Sequence, residues 1–145
     1  MKIARFEVQG RVVYGVVEGD SVREVEGSIF DGLKTTTGKT HTLDRVKLLT
    51  PCDPSKVLAV GLNYASHLGD RKAPEVPGIF LKTPSALLEP GGTIILPGEA
   101  GLVEHEGELV VVMGRRARRV AAGEALDYVL GYTCGNDVSC RPWQR

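Results

Sequence analysis

The sequence predicts an α+β fold that is predominantly β. Two observations support this prediction. Glycine accounts for 18 of the 145 residues and aromatic residues for only 6%, a balance that favours turns and close backbone approaches. Short runs rich in Val and Ile also recur along the chain, with Gly-containing turn sequences between the first of them. We therefore expect many short strands and few helical segments.

The first fifty residues predict a small β-rich domain with a boundary near Thr50. Short turn sequences separate three apolar runs, which is typical of a β-meander, and a fourth short run precedes the boundary. These strands are predicted at 3–8, 12–17, 21–25 and 46–49. The segment 30–43 is polar and lacks periodicity, which indicates a loop. We assign 1–50 to this domain and 51–145 to a second one.

The second domain is expected to contain further strands and two short helical segments. The strands are predicted at 56–61, 79–82, 93–96, 102–113 and 132–137. Asn63 can cap a short helix that reaches about Leu68, and 121–130 has the Ala, Glu and Leu content of a helix. Gly69 and two prolines make 63–77 a candidate lid over a site.

Charge and terminal sequence exclude several classes of partner. The chain has 18 Lys and Arg against 18 Asp and Glu, so it has no net field that would hold nucleic acid or an anionic membrane. Arg5, Glu7 and Arg11 interrupt any apolar stretch of a secretory signal, and the longest apolar runs are far below the roughly 20 residues of a membrane span. We expect a cytoplasmic protein with neither nucleic acid nor membrane as a partner.

Three carboxylates alternate along the segment LVEHEGELVVVM. On one continuous strand Glu104, Glu106 and Glu108 would share a face. Residues two positions apart on a strand lie about 6.5 Å from each other. That spacing allows two carboxylates to meet on a hard cation. An exposed strand face is the alternative, since such faces are often acidic. However, the same face continues into Val110 and Val112, where adjacent like charges are costly unless a cation neutralises them.

The segment GLNYASHLGD contains a second candidate group. His67 lies three residues before Asp70, so on one helical turn the carboxylate could hold the imidazole while the imidazole accepts a proton. A solvated surface histidine is the alternative interpretation.

Four motifs, in their order along the chain, resemble the fumarylacetoacetate hydrolase family. They are GLNYASH at 61–67, FLKTPSA at 80–86, EHEGELVVVMG at 104–114 and GYTCGNDVSCR at 131–141. The N-terminal segment is similar to the small domain of the family's bacterial members. The resemblance implies that a β-roll catalytic core begins after this domain. It also implies that the core continues past Arg141 with more strands and a catalytic lysine, so that 1–145 would not be an independent catalytic unit.

The resemblance implies a metal site with three ligands. Family members hold one divalent cation, usually Mg²⁺ or Mn²⁺ with Ca²⁺ also possible, through two Glu of an E-x-E strand and a later Asp. In this sequence those positions are Glu106, Glu108 and Asp137, and Glu104 becomes a flanking residue. Such a cation would chelate the oxygens of a 2-oxo acid or its enol.

The resemblance also implies roles for five further residues. His67 matches a lid histidine that activates water or moves a proton, paired here with Asp70 where Glu is commoner. Arg141 matches a contact to the substrate carboxylate, for which a guanidinium offers two parallel donors. Gln144 matches a second substrate contact, and Lys82, in the F-L-K motif, either contacts substrate or supports the site.

Family members catalyse several reactions on related acids, and the resemblance implies an enzyme of this kind with a small oxo-dicarboxylate as its substrate. We expect isomerisation or decarboxylation in aromatic-compound catabolism, of which 2-hydroxyhepta-2,4-diene-1,7-dioate isomerase and 5-oxopent-3-ene-1,2,5-tricarboxylate decarboxylase are examples. The alternatives are C–C bond hydrolysis of acylpyruvates such as fumarylpyruvate, oxaloacetate decarboxylation and, from another class, a non-catalytic metal-binding β domain. A homodimer is usual in the family.

Overall fold

A computed structural model of the chain describes residues 1–32 and 36–144. These residues contain eleven strands, one four-residue α-helix and several 3₁₀ helices, which confirms the predicted fold class. The strands are β1 (Lys2–Val8), β2 (Arg11–Glu18), β3 (Ser21–Val25), β4 (Thr36–Thr42), β5 (Lys47–Leu48), β6 (Val57–Gly61), β7 (Gly78–Lys82), β8 (Val103–Glu104), β9 (Gly107–Met113), β10 (Val129–Asn136) and β11 (Ser139–Cys140). The α-helix, α1, is Ala65–Leu68, and the 3₁₀ helices are Ile29–Asp31, Leu43–Arg45, Pro84–Ala86, Ala122–Tyr128 and Arg141–Trp143.

The N-terminal strands form one antiparallel sheet in the order β4-β3-β2-β1-β5. Gln9 and Gly10, both with positive φ (50° and 72°), make the turn between β1 and β2, as the twist of a two-residue hairpin requires. Alternate residues of the sheet face a small core in which Phe6 and Val22 are fully buried. The three strands predicted for the meander are therefore confirmed, as is the short strand before Thr50.

Half of the predicted loop at 30–43 is instead strand β4, and residues 33–35 of that segment lie outside the described residues. β4 has the sequence TTGKTHT and pairs with β3 through Thr42 opposite Ser21 and His41 opposite Val22. An edge strand of this kind buries few side chains, so it shows no apolar alternation. The strand propensity of its β-branched threonines was the only local signal.

The second part of the chain consists of three two-stranded antiparallel pairs, β6 with β7, β8 with β11, and β9 with β10. The strands predicted at 56–61 and 79–82 are confirmed as β6 and β7. The strand predicted at 93–96 is wrong, because this segment runs without a hydrogen-bonded partner strand among the described residues. The helix predicted at 121–130 is also wrong. It is a 3₁₀ helix over Ala122–Tyr128, and Val129 already begins β10.

No helix within residues 1–32 and 36–144 combines the length and the apolar character that a membrane span needs.

A buried carboxylate lies within the N-terminal sheet. Glu24 on β3 is 2% exposed, and its Oε1 lies 2.8 Å from His41 Nε2 and 3.2 Å from Arg11 Nη2. Burial alone would raise the pKa of Glu24. The hydrogen bond to His41 and the positive charges of Arg11, Lys39 and His41 outweigh that effect, and the pKa is lowered.

We expect Glu24→Gln to reduce the free energy of unfolding by about 2–3 kcal/mol at neutral pH, because Arg11 and His41 lose their buried anionic partner. The folded-state pKa of Glu24 lies below its unfolded value, so its contribution is present above the unfolded pKa and is lost as the pH falls through the folded pKa. Urea unfolding of the variant and the unmodified protein, at neutral pH and below about pH 4, measures the difference in their free energies of unfolding. Glu18→Gln, at an exposed ion pair with Arg23, is the control. If the free energies of unfolding of Glu24→Gln and the unmodified protein differ by the same amount at acidic and at neutral pH, the expectation is contradicted.

Gly15 on β2 lies directly opposite Glu24 and has no room for a side chain. A Cβ there would lie 2.6 Å from Val22 Cγ2 and 2.7 Å from the Arg23 carbonyl oxygen. We expect Gly15→Ala to destabilise the fold by about 1–3 kcal/mol through overpacking, measured by urea unfolding. Gly123→Ala, where no atom lies within 4 Å of the added Cβ, is the matched control, and an equal effect of both substitutions would contradict the prediction.

Candidate metal centre and active site

Three carboxylates converge where β9 and β10 meet. Glu106 lies just before β9, Glu108 is its second residue, and Asp137 directly follows β10. Each residue offers an oxygen, and these atoms all lie within 4.8 Å of one another. The antiparallel register, with Gly135 opposite Glu108, carries Asp137 to Glu106, and the Asp137 N–H donates to the Glu106 carbonyl oxygen at 2.8 Å. Strand pairing thus brings together residues about thirty positions apart.

The strand predicted at 102–113 is divided, and this corrects the expectation that all three glutamates share one face. His105 and Glu106 separate β8 from β9, and the Glu106 N–H donates to Asn136 Oδ1 at 3.0 Å across the interruption. Glu104 belongs to β8, which pairs with β11 rather than β10. It therefore lies outside the cluster of three carboxylates, as expected of a flanking residue.

The three carboxylates fit a divalent cation. Asp137 and Glu106 are only 13% and 15% exposed, so their charges are poorly hydrated and need a compensating positive charge. Asp137 Oδ1 is buried, and Lys82 Nζ lies 2.5 Å from it in an ion pair. An all-oxygen ligand set of this kind suits a hard cation such as Mg²⁺, Mn²⁺ or Ca²⁺.

Arg141, the first residue of the 3₁₀ helix after β11, lies beside the carboxylates. Its Nε is 2.5 Å from Glu104 Oε2, its Nη2 is 2.6 Å from Glu106 Oε1, and its Nη1 donates to Gln144 Oε1 at 3.0 Å. The hydrogen bond to Glu104 is the largest influence on the Arg141 pKa, and together with the charge of Glu106 it raises that pKa. A bond from the Arg141 N–H to the Leu102 carbonyl oxygen fixes the backbone at this point.

A cavity of about 310 Å³ joins five of the residues singled out from the sequence. It is lined by His67, Glu104, Glu106, Glu108 and Arg141. Tyr64 positions the histidine, because its hydroxyl accepts a hydrogen bond from the Leu109 N–H of β9 at 3.0 Å and so attaches α1 to that strand. The cavity can thus hold a small acid between an imidazole, a guanidinium and a carboxylate cluster.

Other residues proposed for the site take different places. Asp70 is exposed, and in the described part of the chain its carboxylate makes no hydrogen bond to His67. Arg71 Nη2 instead donates to the His67 carbonyl oxygen at 2.6 Å. Gln144 supports Arg141 and also donates to Ser139 Oγ at 3.2 Å. The catalytic and substrate-binding roles of these residues stay predictions.

The sequence did not reveal two residues that support the site, Tyr64 and Asn136. Tyr64 is the N-cap of α1 and makes no side-chain cap bond, so Asn63 does not cap that helix as expected. Asn136 supports the backbone of Glu106. The Asn-Tyr pair before the helix was visible as part of a motif, but the strand contacts of Tyr64 depend on tertiary structure.

Two family descriptions match the chain. Residues 56–145 match "Fumarylacetoacetate (FAA) hydrolase C-terminal", and residues 1–51 match "Rv2993c-like, N-terminal". Protein Rv2993c of Mycobacterium tuberculosis is 40% identical over 154 residues, an alignment that covers 100% of this chain and 58% of that protein.

Solved structures are similar over the whole chain. A 5-carboxymethyl-2-hydroxymuconate delta-isomerase from Mycobacterium smegmatis is 42% identical with a TM-score of 0.88, covering 100% of this chain and 58% of that one. A 2-hydroxyhepta-2,4-diene-1,7-dioate isomerase from Mycobacterium marinum is 38% identical with a TM-score of 0.86, covering 99% and 56%. A maleylpyruvate hydrolase from Sphingobium sp. SYK-6, in complex with manganese(II) ion and pyruvate, is 29% identical with a TM-score of 0.71, covering 95% and 58%. The chain thus spans less than two thirds of the length of each of these proteins.

Proposed function

The chain belongs to the fumarylacetoacetate hydrolase family, and from this premise we propose that its carboxylate cluster is the centre of a divalent-metal-dependent enzyme acting on 2-oxo or enol dicarboxylic acids. The reaction we propose is isomerisation, of the kind catalysed by 2-hydroxyhepta-2,4-diene-1,7-dioate isomerase. The observation that carries the proposal is the convergence of Glu106, Glu108 and Asp137, because the two glutamates of this cluster line a cavity that His67 and Arg141 also line.

The metal part of the proposal rests on the donor set. Glu106, Glu108 and Asp137 would hold the cation, which would supply positive charge to the oxygens of a bound 2-oxo acid or its enol. The close approach of the three carboxylates and the low exposure of Asp137 and Glu106 support this assignment, and the related maleylpyruvate hydrolase was solved with manganese(II) and pyruvate. We propose Mg²⁺ or Mn²⁺ as the working ion.

The chain's own residues supply binding and proton transfer. Arg141 would bind a substrate carboxylate, since its guanidinium faces the cavity and Gln144 holds it in place. His67, which also lines the cavity, would take a proton from one carbon or oxygen of the acid and return it to another. Lys82 would balance part of the charge on Asp137.

Isomerisation is favoured because it needs only such a proton shift. Hydrolysis of a C–C bond needs an activated water molecule in addition. Two similar structures are named as isomerases, of 5-carboxymethyl-2-hydroxymuconate and of 2-hydroxyhepta-2,4-diene-1,7-dioate. A rat relative, 41% identical over 103 residues, is named as an oxaloacetate tautomerase, and tautomerisation is also a proton shift. A homodimer, the cytoplasmic location and the division into domains at residue 50 stay predictions.

Product analysis on the full-length protein tests the proposal. The purified protein is incubated with a panel of hydroxydienoates, oxo-dicarboxylates and acylpyruvates, with Mg²⁺ or Mn²⁺ and after metal removal by chelation. We expect an isomer of unchanged mass from a hydroxydienoate and a rate loss of about 100-fold or more without metal. Release of CO₂ would indicate decarboxylation and two smaller acids would indicate hydrolysis. Tight metal binding without turnover of any acid would support a non-catalytic metal-binding domain.

A further inference from the structure

The donors of Arg141 that would bind a substrate carboxylate already lie against carboxylates of the protein. The Nε and Nη2 atoms form the edge of a guanidinium that binds one carboxylate through two parallel hydrogen bonds. In this structure Nε lies 2.5 Å from Glu104 and Nη2 lies 2.6 Å from Glu106. Nη1 donates to Gln144. A substrate carboxylate can therefore make a two-point contact with this edge only after one of the glutamates leaves it.

The two glutamates differ in how firmly they are held. Glu106 is 15% exposed, and its backbone bonds to Asn136 and Asp137 across the strand interruption. Its side chain also belongs to the carboxylate cluster. Glu104 is 45% exposed, and among the described residues its carboxylate contacts only Arg141. An exposed ion pair of this kind is weak and easily exchanged.

We propose that Glu104 is an internal competitor of the substrate: its carboxylate occupies the Arg141 edge in the free protein and is displaced by the carboxylate of the incoming acid. The inference rests on the proposed function, in which Arg141 binds that carboxylate. Glu104 then sets substrate affinity without taking part in the chemistry. A ligand with two carboxylates is favoured over one with a single carboxylate, because only a second carboxylate can replace Glu104 on Arg141 while the oxo acid group reaches the metal ligands.

A role in positioning predicts the opposite effect. If Glu104 only held Arg141 in place, its removal would misplace the guanidinium and weaken the binding of acids. If Glu104 competes, its removal frees the guanidinium edge and strengthens binding. The sign of the change in affinity therefore separates the two roles.

Calorimetric titration of the full-length protein with oxalate, at saturating Mg²⁺, measures this sign. We expect Glu104→Gln to lower the Kd of oxalate by about threefold to tenfold, a modest gain because the displaced ion pair is exposed. The Kd of Mn²⁺, titrated alone, should change by less than about twofold. In turnover, KM should fall with little change in kcat. Glu99→Gln, which removes an equal charge from the exposed loop before β8, should leave the Kd of oxalate unchanged.

The substitution Arg141→Gln distinguishes the competitor role of Glu104 from the proposed function on which that role rests. We expect this substitution to raise the Kd of oxalate by about tenfold or more. If it does so while Glu104→Gln fails to tighten binding, the competitor role is overturned and the proposed function stands. If Arg141→Gln leaves oxalate binding unchanged, Arg141 does not bind the carboxylate, and both are overturned. Equal tightening by Glu99→Gln and Glu104→Gln would reduce the effect to net charge and would also overturn the competitor role.

Discussion

Asp137→Asn is expected to weaken Mg²⁺ or Mn²⁺ binding by about 100-fold or more and to remove turnover to the same extent. The substitution keeps the shape of the side chain but removes the charge of one of the three clustered carboxylates. It also leaves Lys82 without its anionic partner, so the remaining carboxylates attract a cation less strongly than before. Calorimetric titration of the full-length protein with Mn²⁺ measures the change.

Asp127→Asn is the matched control, since Asp127 lies on an exposed 3₁₀ helix away from the carboxylate cluster. Its Mn²⁺ affinity and turnover should equal those of the unmodified protein. Circular dichroism and thermal unfolding check that both variants are folded. A Mn²⁺ affinity of Asp137→Asn within about threefold of the unmodified protein would show that this residue is not a ligand.

His67→Ala is expected to lower kcat by about 100-fold to 10,000-fold, the usual contribution of a positioned acid–base group. The affinity for Mn²⁺ should stay within about twofold, because His67 lines the cavity from α1 and is outside the cluster of three carboxylates. Steady-state kinetics gives the first quantity and calorimetry the second. Added imidazole should restore part of the lost rate in the variant, since the cavity left by the side chain can admit it.

Lys72→Ala serves as the control for this substitution, because Lys72 lies on the same surface segment and forms an exposed ion pair with Glu75. Its kinetics should be unchanged. Equal losses of kcat and metal affinity in His67→Ala would instead make the histidine a metal ligand. If neither kcat nor metal affinity falls, another group carries out the proton transfer.

Local sequence patterns predicted those elements whose side chains alternate between a core and solvent. The meander was visible for this reason, because Phe6 and Val22 recur in phase with the strands and Gly10 marks a turn. Strand β4 was not visible, since it lies at an edge and its polar residues follow no period. The interruption at His105 was also missed. The sequence there continues the alternation, and only pairing with a different strand on each side shows the division.

The candidate site was predictable to the extent that a motif carried it. The spacing alone predicted only that Glu104, Glu106 and Glu108 share one face, and the resemblance selected Glu106 and Glu108 as the ligands. Asp137 entered through resemblance, because its approach depends on how β10 pairs with β9. The contact between Glu104 and Arg141 was beyond reach for the same reason, and so was the bond from Leu109 to Tyr64.

The long connection between β9 and β10 joins the two strands at the end of the pair that is remote from the carboxylates. Met113 and Val129 pair at that end, and the shift in register near Gly131 also lies there. An extra residue in 115–128 would therefore lengthen a surface excursion without altering the chemistry. An extra residue inside β10 would move every later side chain to the opposite face of the sheet and turn Asp137 away. Natural length variation among relatives should accordingly collect in the connection and be absent from the two strands.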